Sequence, residues 1–218
     1  PEQSYVAWAS TYEWMRCYDI EHLYAGPLFT HQLSHIWIDF RGIQDAFMRT
    51  KGIDYFENSR RATYVQQKYA MDKPLKFIGY GDCCWGITAS DGPGPSVVKV
   101  GGIERQFYDY IGRGVPYGPD DGTLAPCAVV ASLPLAPAVV LPAVHNFRKL
   151  NVQHADPHAS KASINPPLHA HTDNAALGCV PAHHIGTNQG SPVAKLCSYT
   201  TTPTWARLMP AAPPAPPP

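Results

Sequence analysis

The sequence predicts an all-α domain with long loops between its helices. Apolar and aromatic residues recur at helical spacing in several segments, and prolines stand at or near the ends of some of them. No convincing run alternates apolar with polar residues, which is the pattern of a half-buried strand. These observations favour helices packed on helices, with functional groups carried by the loops.

The first predicted helix covers residues 4–16. Ser4 is a favourable N-cap residue. One face of this helix is formed at helical spacing by Tyr5, Trp8, Tyr12 and Met15. The segment is therefore predicted to be amphipathic and rich in aromatic rings.

The strongest helical pattern covers residues 54–71. Asp54 and Glu57 have the spacing of a capping box, and Pro74 ends the segment because a residue before proline is pushed out of the helical region. Two apolar helices are predicted further along, over residues 125–133 and 138–150, with prolines in the break between them.

Composition divides the chain into three parts. Residues 1–150 form the predicted core, which holds most of the aromatic and charged residues, and residues 151–209 form an extension with few apolar anchors. Residues 210–218 are an Ala/Pro tract, for which we expect a polyproline-like or disordered tail. Residues beyond about 190 are predicted to be loosely held.

The charge balance limits the classes of partner. Lys+Arg and Asp+Glu are both 17, so the chain lacks the basic surplus of a nucleic-acid-binding protein. Apolar runs are too short or too interrupted by proline for membrane insertion. The six cysteines match no zinc or thioredoxin spacing and are read as buried thiols, with one or two disulfides as the alternative. The oligomeric state is unknown from the sequence.

Two stretches combine carboxylates with groups that suit sugars. Residues 26–42 carry a polar and aromatic set made up of His31, Gln32, His35, Trp37, Asp39 and Arg41. Asp39 could instead simply pair with Arg41, and the two histidines lack the third ligand that zinc needs, so no metal site is predicted. In residues 54–61, Glu57 is either a catalytic or substrate-binding carboxylate, or a capping residue that faces Arg60 or Arg61.

Two later stretches add glycine-rich loops. Residues 79–95 offer polar and aromatic candidates, namely Tyr80, Asp82, Trp85 and Asp91. Trp85 could stack on a sugar ring, whereas Asp91 is equally consistent with an Asp-Gly turn. Residues 113–123 contain Asp120 and Asp121, which either cap a helix or share a cleft where mutual repulsion raises one pKa.

The same four stretches resemble the signature blocks of the glycoamylase-like domain family. The matching blocks read GPLFTHQLSHIWIDFRG, DYFENSRRAT, GYGDCCWGITASDGPGP and DDGTLAPCAVVASLPLAPAVVLPAV. This family includes endo-β-1,2-glucanases and a domain of cyclic β-1,2-glucan synthases. The resemblance implies an (α/α)6 toroid, or a C-terminal part of one, with a cleft at one end. Where the family has glutamate in the third block, this chain has Asp82, which is one methylene shorter.

The resemblance also implies the activity and the site. It implies a glycoside hydrolase that acts on β-glucan, most of all β-1,2-glucan, by acid/base catalysis with inversion and without a cofactor. We expect Asp39, Glu57, Trp85 and Asp91 to line one cleft. Glu57, Asp39 and Asp91 are the predicted catalytic carboxyls, and the predicted substrate-binding residues are His31, Gln32, His35, Trp37, Arg41, Arg60, Tyr80, Asp82, Trp85, Asp120 and Asp121.

The alternatives are a non-catalytic glucan-binding or scaffolding domain and an inactive truncated relative. The family pattern places one acidic position ahead of Pro1, so we expect residues 1–218 alone to hydrolyse glucan poorly or not at all. The chain carries no signal peptide, and the resemblance implies a periplasmic or secreted location. A metal site in the histidine-rich segment 145–184 is not expected, because its spacings fit no standard site.

Overall fold

The computed structural model describes residues 2–150 and 163–166. Five α-helices lie in these residues: α1 (Glu2–Ala9), α2 (Ala46–Lys51), α3 (Tyr55–Asp72), α4 (Pro126–Ala131) and α5 (Pro137–Lys149). Two short 3-10 helices cover Leu28–His31 and Leu33–Ile36. Six strands are β1 (Trp14–Cys17), β2 (Ile20–Leu23), β3 (Ala89–Ser90), β4 (Ser96–Val100), β5 (Ile103–Phe107) and β6 (Ile111–Gly112). The predicted parts 151–209 and 210–218 lie almost wholly outside the described residues.

The prediction of an all-α fold, whether a toroid or part of one, is wrong for the described residues. The six strands form three two-stranded antiparallel sheets, β1 with β2, β3 with β6 and β4 with β5. The first predicted helix stops at Ala9, and its last predicted turn is strand β1 instead. The cause is that short hairpins satisfy their backbone hydrogen bonds locally and do not need a long alternating pattern.

The two hairpins each turn through a two-residue loop with left-handed backbone. Gly101 and Gly102 connect β4 to β5 with φ of 58° and 84°, which glycine adopts without a steric penalty. Tyr18 and Asp19 connect β1 to β2 with φ of 51° and 62°. The Tyr18–Asp19 turn lacks glycine, and this explains why the first hairpin carries no sequence signature.

The other helix predictions are confirmed. Asp54 caps α3, and its carboxylate accepts a hydrogen bond of 2.7 Å from the backbone N–H of Glu57. Helices α4 and α5 each begin on a proline, which tolerates the first helical turn because its missing N–H would be unpaired there. The break between them falls at residues 132–136 and contains Pro134, whereas Pro137, also predicted to lie in the break, is the first residue of α5.

The core lies between α3, α4, α5 and the loop that follows α3. It contains the fully buried side chains of Trp85, Ile87, Leu124, Val129 and Val140. Ile164 closes this core through two backbone hydrogen bonds of 2.8 Å with Leu124. Within the described ranges no helix is long and apolar enough to cross a membrane.

A buried ion pair fixes the second half of the core. The Arg113 guanidinium donates to both carboxylate oxygens of Asp121 at 2.7 and 2.8 Å, and both side chains are fully buried. Arg113 also donates to the backbone carbonyls of Ser90, Tyr108 and Asp109. The backbone carbonyls accept from the remaining N–H groups of Arg113, and these hydrogen bonds compensate the two buried charges for their loss of water.

Candidate functional site

Two openings lie on different faces of α3. The first, which we call the aromatic cavity, has a volume of about 390 Å³, and its aromatic walls are Trp8, Tyr12, Tyr24, Phe40 and Tyr55. The second, which we call the charged groove, has a volume of about 540 Å³ and is lined by Arg16, Asp19, Ile20, Glu21, Glu57, Arg60, Arg61 and Tyr64. Both volumes fall in the range of small-molecule sites, about 300–1,000 Å³.

Helical periodicity explains how α3 serves both openings. Tyr55, Asn58 and Ser59 line the aromatic cavity, whereas Glu57, Arg60, Arg61 and Tyr64 line the charged groove. Residues three and four positions apart share a helix face, so the two sets point in different directions. The β1–β2 hairpin contributes to both openings as well.

The side chain of Asn58 docks the hairpin on α3. Its carbonyl oxygen accepts from the backbone N–H of Leu23 at 2.7 Å, and its amide donates to the Leu23 carbonyl at 3.4 Å. Asn58 is buried, so these bonds replace water that burial has removed. The relative position of hairpin and helix, and hence the shape of both openings, depends on this contact.

In the charged groove, Glu57 is held by two arginines. Arg60 donates to both of its oxygens at 3.1 and 3.2 Å, and Arg61 donates to one oxygen at 3.0 Å. Arg61 also donates to the backbone carbonyl of Glu21, which ties the pair to the hairpin. Of the two interpretations that the sequence left open for Glu57, the structure shows the ion pairing, and it also places this carboxylate at an opening.

Asp39 and Arg41 form a separate pair on an exposed loop. The Arg41 guanidinium donates to both Asp39 carboxylate oxygens, with N–O distances of 2.7 to 3.1 Å. These hydrogen bonds lower the pKa of the Asp39 carboxyl. The guanidinium also lies 5.7 Å from the ring centre of Phe56 on α3. Trp37 is exposed on the same loop. The pairing alternative stated for Asp39 is therefore what the structure shows.

Histidines from the first stretch line the aromatic cavity. His35 shares a hydrogen bond of 2.9 Å with the Ser59 hydroxyl, and its ring lies 4.8 Å from that of Phe40. His31 is buried, and its Nε2 lies 3.2 Å from the Ala25 carbonyl oxygen. Burial, with a smaller contribution from the neighbouring His22, lowers the pKa of His31 to about 4. His31 is thus a neutral wall residue at ordinary pH.

Several predicted substrate-binding residues lie in the core instead. Gln32 donates to the Ala128 carbonyl and the Ser132 hydroxyl at 2.7 and 2.6 Å, which joins the 3-10 helices to α4. Trp85 has no exposed surface, so its ring does not face a cleft. Asp82 is exposed and accepts from the Cys83 backbone N–H.

Asp121 is fully buried and Asp120 is half-buried, and the two carboxyls have different partners. Asp120 accepts from the hydroxyls of Tyr69 at 2.9 Å and Tyr80 at 2.6 Å, while Asp121 pairs with Arg113. Burial raises the pKa of Asp120, with the neighbouring Asp121 a minor cause. Burial acts in the same direction on Asp121, but the hydrogen bonds and charge of Arg113 outweigh it and lower that pKa. These carboxyls hold the core together.

Asp91 directly follows strand β3 and is half-buried. Its backbone carbonyl accepts from the Ser163 hydroxyl at 2.7 Å, and Gly92 follows so close to the Arg113 guanidinium that a side chain there would collide with it. The four residues expected to share one cleft thus lie in the charged groove (Glu57), on an exposed loop (Asp39), in the core (Trp85) and directly after β3 (Asp91).

The sequence interpretation missed most of the aromatic cavity. Trp8 and Tyr12 were predicted only as one face of a helix, and Tyr24 and Tyr55 were not singled out at all. The available signal was the density of aromatic residues in the first part of the chain. Among the described residues, no three metal-ligating side chains come together. The histidines beyond residue 150 lie outside the described part.

Comparison with known proteins provides an independent line of evidence. A family model named Glycoamylase, described as "Putative glucoamylase", matches residues 1–212. An exo-β-1,2-glucooligosaccharide sophorohydrolase (non-reducing end) from Parabacteroides distasonis is 29% identical over 122 residues, which are 56% of this chain and 14% of that protein.

Solved structures share the fold. A "putative glucoamylase" from Bacteroides uniformis matches with a TM-score of 0.73 and 24% identity over 93% of this chain and 44% of that one. An endo-β-1,2-glucanase from Chitinophaga pinensis, solved in complex with sophorotriose and glucose, gives a TM-score of 0.71 at 20% identity over 94% of this chain and 45% of the other. The chain thus spans less than half the length of these relatives.

Proposed function

We propose that this chain, which belongs to the glycoamylase family, is part of a glycoside hydrolase that acts on β-glucan, with β-1,2-linked glucan as the favoured substrate. The relatives named above as β-1,2-glucanase and β-1,2-glucooligosaccharide sophorohydrolase support this substrate class. One observation in the structure carries the proposal. Glu57 lies in an open, charged groove on the same helix that forms a wall of an aromatic cavity.

The groove suits hydrolysis because it combines a fixed carboxylate with arginine donors. A carboxylate that already accepts from Arg60 and Arg61 is suited to accept a further hydrogen bond from a sugar hydroxyl or from a water molecule. The arginines restrict its orientation, which keeps a reacting group in position. We therefore propose that Glu57 acts as a base or as a hydroxyl acceptor.

Asp39, like Glu57, suits the role of a base or a hydroxyl acceptor and not that of an acid. Because Arg41 lowers its pKa, Asp39 is ionised at neutral pH and does not supply a proton to a leaving group. Inverting hydrolysis requires a protonated acid as well as a base, with the two carboxyls about 6.5–9.5 Å apart. The carboxyl with a raised pKa, Asp120, is half-buried, accepts hydrogen bonds from two tyrosines and lines neither opening. We infer that this chain supplies the general base of the hydrolysis.

A second candidate function is glucan binding without catalysis. The aromatic cavity favours it, because flat aromatic faces bind the C–H surface of a pyranose ring without any carboxylate. This function would remain even if the chain lacks a general acid.

The experiment measures binding and turnover on one preparation. Residues 1–218 are mixed with linear β-1,2-glucan, and both bound glucan and released reducing ends are followed. We expect binding with slow release, and we expect Glu57→Gln to reduce the release by roughly 10²–10⁴-fold, as for loss of a general base. Glu104→Gln is the matched control, because Glu104 is an exposed glutamate on β5 that lines neither opening.

The outcomes separate the two functions. Release that disappears in Glu57→Gln and persists in Glu104→Gln supports the hydrolase. Binding without any release shows that residues 1–218 by themselves act as a glucan-binding unit, and release unaffected by Glu57→Gln contradicts the role given to this residue. If the chain neither binds nor cleaves the glucan, both functions are excluded.

A further inference from the structure

We propose that Trp8 is a stacking platform for a pyranose ring at the rim of the aromatic cavity, and that a chain of hydroxyl groups ending on Asp45 holds its indole in place. This inference rests on the proposed function, since it names a residue that contacts the β-glucan. Trp8 lies outside the four sequence blocks that carry the family resemblance. Its assignment comes from exposure, hydrogen bonding and the composition of the cavity.

The exposure of Trp8 is the first observation. Helix α1 has no buried residue, and the side chain of Trp8 is 68% exposed although it is the largest apolar group of that helix. An exposed tryptophan leaves its large, flat ring in water, and such a ring beside a pocket offers a stacking face to a ligand. Trp8 does adjoin one, because it lines the aromatic cavity.

The indole is nevertheless held in one orientation. Its Nε1–H donates to the Tyr12 hydroxyl at 2.9 Å, and the Tyr12 and Tyr55 hydroxyls are 3.1 Å apart. Tyr55 donates its own proton to Oδ2 of Asp45 at 2.7 Å. Because a hydroxyl has a single proton, Tyr12 must donate to Tyr55, and every bond of the chain then runs from Trp8 towards the carboxylate.

This directed chain has an energetic consequence. Each hydroxyl accepts one bond and donates another, and neighbouring bonds that point the same way polarise and strengthen one another. The Asp45 carboxylate is fixed in turn, since its other oxygen caps α2 by accepting from the Met48 backbone N–H at 2.7 Å. A ring that is already oriented loses little entropy when a ligand stacks on it.

Helix α1 and the residues that follow it are also attached to the fold by contacts that do not involve the Trp8 indole. The Tyr5 hydroxyl accepts from the Phe47 backbone N–H at 2.9 Å, and the Tyr12 ring meets the Phe47 ring edge-on at 5.1 Å. Helix α1 therefore stays in place without burying Trp8. The contacts that anchor the helix are distinct from the indole face that remains exposed.

The rest of the cavity fits a neutral sugar. Its described lining combines aromatic rings with small polar groups, such as Thr30 and Ser34, and includes no lysine or arginine. Glu13 is its exposed carboxylate and can accept from sugar hydroxyls. An anionic ligand would meet no cationic partner there, whereas a glucose unit would find an apolar platform and hydroxyl acceptors.

The test measures affinity for sophorotriose, the β-1,2-linked glucose trisaccharide, by calorimetry. We expect Trp8→Ala to weaken binding by about tenfold or more, as for loss of a buried aromatic anchor, and Trp8→Phe to retain binding within about threefold because a flat face remains. Tyr110→Ala is the control, since Tyr110 is an exposed aromatic residue that does not line the cavity. Circular dichroism verifies that every variant is folded.

A double-mutant cycle tests the hydroxyl chain as a positioning device. We expect Tyr12→Phe, which keeps the ring but removes the acceptor of the indole N–H, to weaken binding by about threefold in the parent chain and to have no further effect in Trp8→Ala. Equal losses in both backgrounds would show that Tyr12 acts independently of Trp8. If the parent binds sophorotriose and Trp8→Ala binds it equally well, the platform is refuted while the proposed function remains. If the parent does not bind the sugar, both are refuted.

Discussion

His31 makes the stability of this fold dependent on pH, and the effect can be calculated from its burial. The imidazole is 8% exposed, and burial lowers its pKa from 6.5 to about 4. In the unfolded chain the same ring is hydrated and protonates near its ordinary pKa. Between about pH 4 and pH 6.5, the unfolded state therefore binds a proton at His31 more readily than the folded state does.

The sign and size of the effect follow from linkage. A histidine whose pKa is lowered by folding contributes no penalty above pH 6.5, and stability is lost as the pH falls towards 4. The difference between the two pKa values corresponds to about 3 kcal/mol at full protonation, of which about 2 kcal/mol is lost between about pH 7.5 and pH 5. This is a large fraction of the free energy of unfolding of an ordinary domain.

The assay is urea unfolding of the parent chain and of His31→Gln at both pH values. Glutamine keeps a donor for the Ala25 carbonyl and does not titrate. The variant should lose about 2 kcal/mol less than the parent over this interval. His145→Gln, which alters an exposed histidine of α5, should follow the parent. If His31→Gln loses as much stability as the parent, His31 is not the buried neutral group described here.

Three further predictions concern other parts of the chain. Lys73→Gly should raise the free energy of unfolding by about 1 kcal/mol, because Lys73 ends α3 with a φ of 52°, which glycine adopts more easily. Lys68→Gly, inside the same helix, should lower the free energy of unfolding by about 1 kcal/mol. Thermal melts of the two variants measure the difference. Asp121→Asn should cost about 3–5 kcal/mol in urea unfolding because it breaks a buried ion pair, and Asp39→Asn on the exposed loop should cost less than about 1 kcal/mol. Trp85→Ala should cost about 3–5 kcal/mol; a fully stable Trp85→Ala that loses glucan binding would instead show that the ring faces substrate.

Helix α3 could be predicted from the sequence because its signals are local. The capping group Asp54, the helical spacing that follows and Pro74 just beyond its end all act within a few residues of one another. The β4–β5 hairpin also had a local signal, the Gly101–Gly102 pair between β-branched residues, and this signal was overlooked. The β1–β2 hairpin had none, because its turn is formed by Tyr18 and Asp19.

The burial of Trp85 depends on contacts that are distant in sequence. Gly86 follows it with a φ of 114°, and a Cβ at this position would lie 2.7 Å from a methyl group of Val129. The missing side chain lets the loop pack directly against α4, and this packing turns the Trp85 ring into the core. Glycine next to an aromatic residue is compatible either with close approach of a ligand or with close approach of another helix, and the sequence does not distinguish the two.

Glu57 and Trp8 show a different limit of sequence reasoning. The sequence singled out Glu57 as a candidate carboxylate and Trp8 only as part of a helix face, and the role of each depends on the direction of its side chain. Glu57 points along the face of α3 that also carries Arg60 and Arg61, so its carboxylate is ion-paired and open to the charged groove. Trp8 is exposed, and its indole N–H donates to the Tyr12 hydroxyl. Helical spacing alone predicted only that Trp8 shares one face of a helix with Tyr5, Tyr12 and Met15.

The two openings are mechanically linked through α3, because one helix with two differently facing sets of side chains shapes both. A shift of this helix would move the carboxylate of Glu57 in the charged groove and the hydroxyl of Tyr55 in the aromatic cavity together. Asn58, which bonds both backbone groups of Leu23, connects the same helix to the hairpin that completes both openings. A sugar stacked on Trp8 would contact the ring that the hydroxyl chain holds in place. That chain includes the hydroxyl of Tyr55, the first residue of α3. Tyr55 and Glu57 lie within one turn of α3, so this single helix positions both the hydroxyl chain that holds Trp8 and the carboxylate in the charged groove.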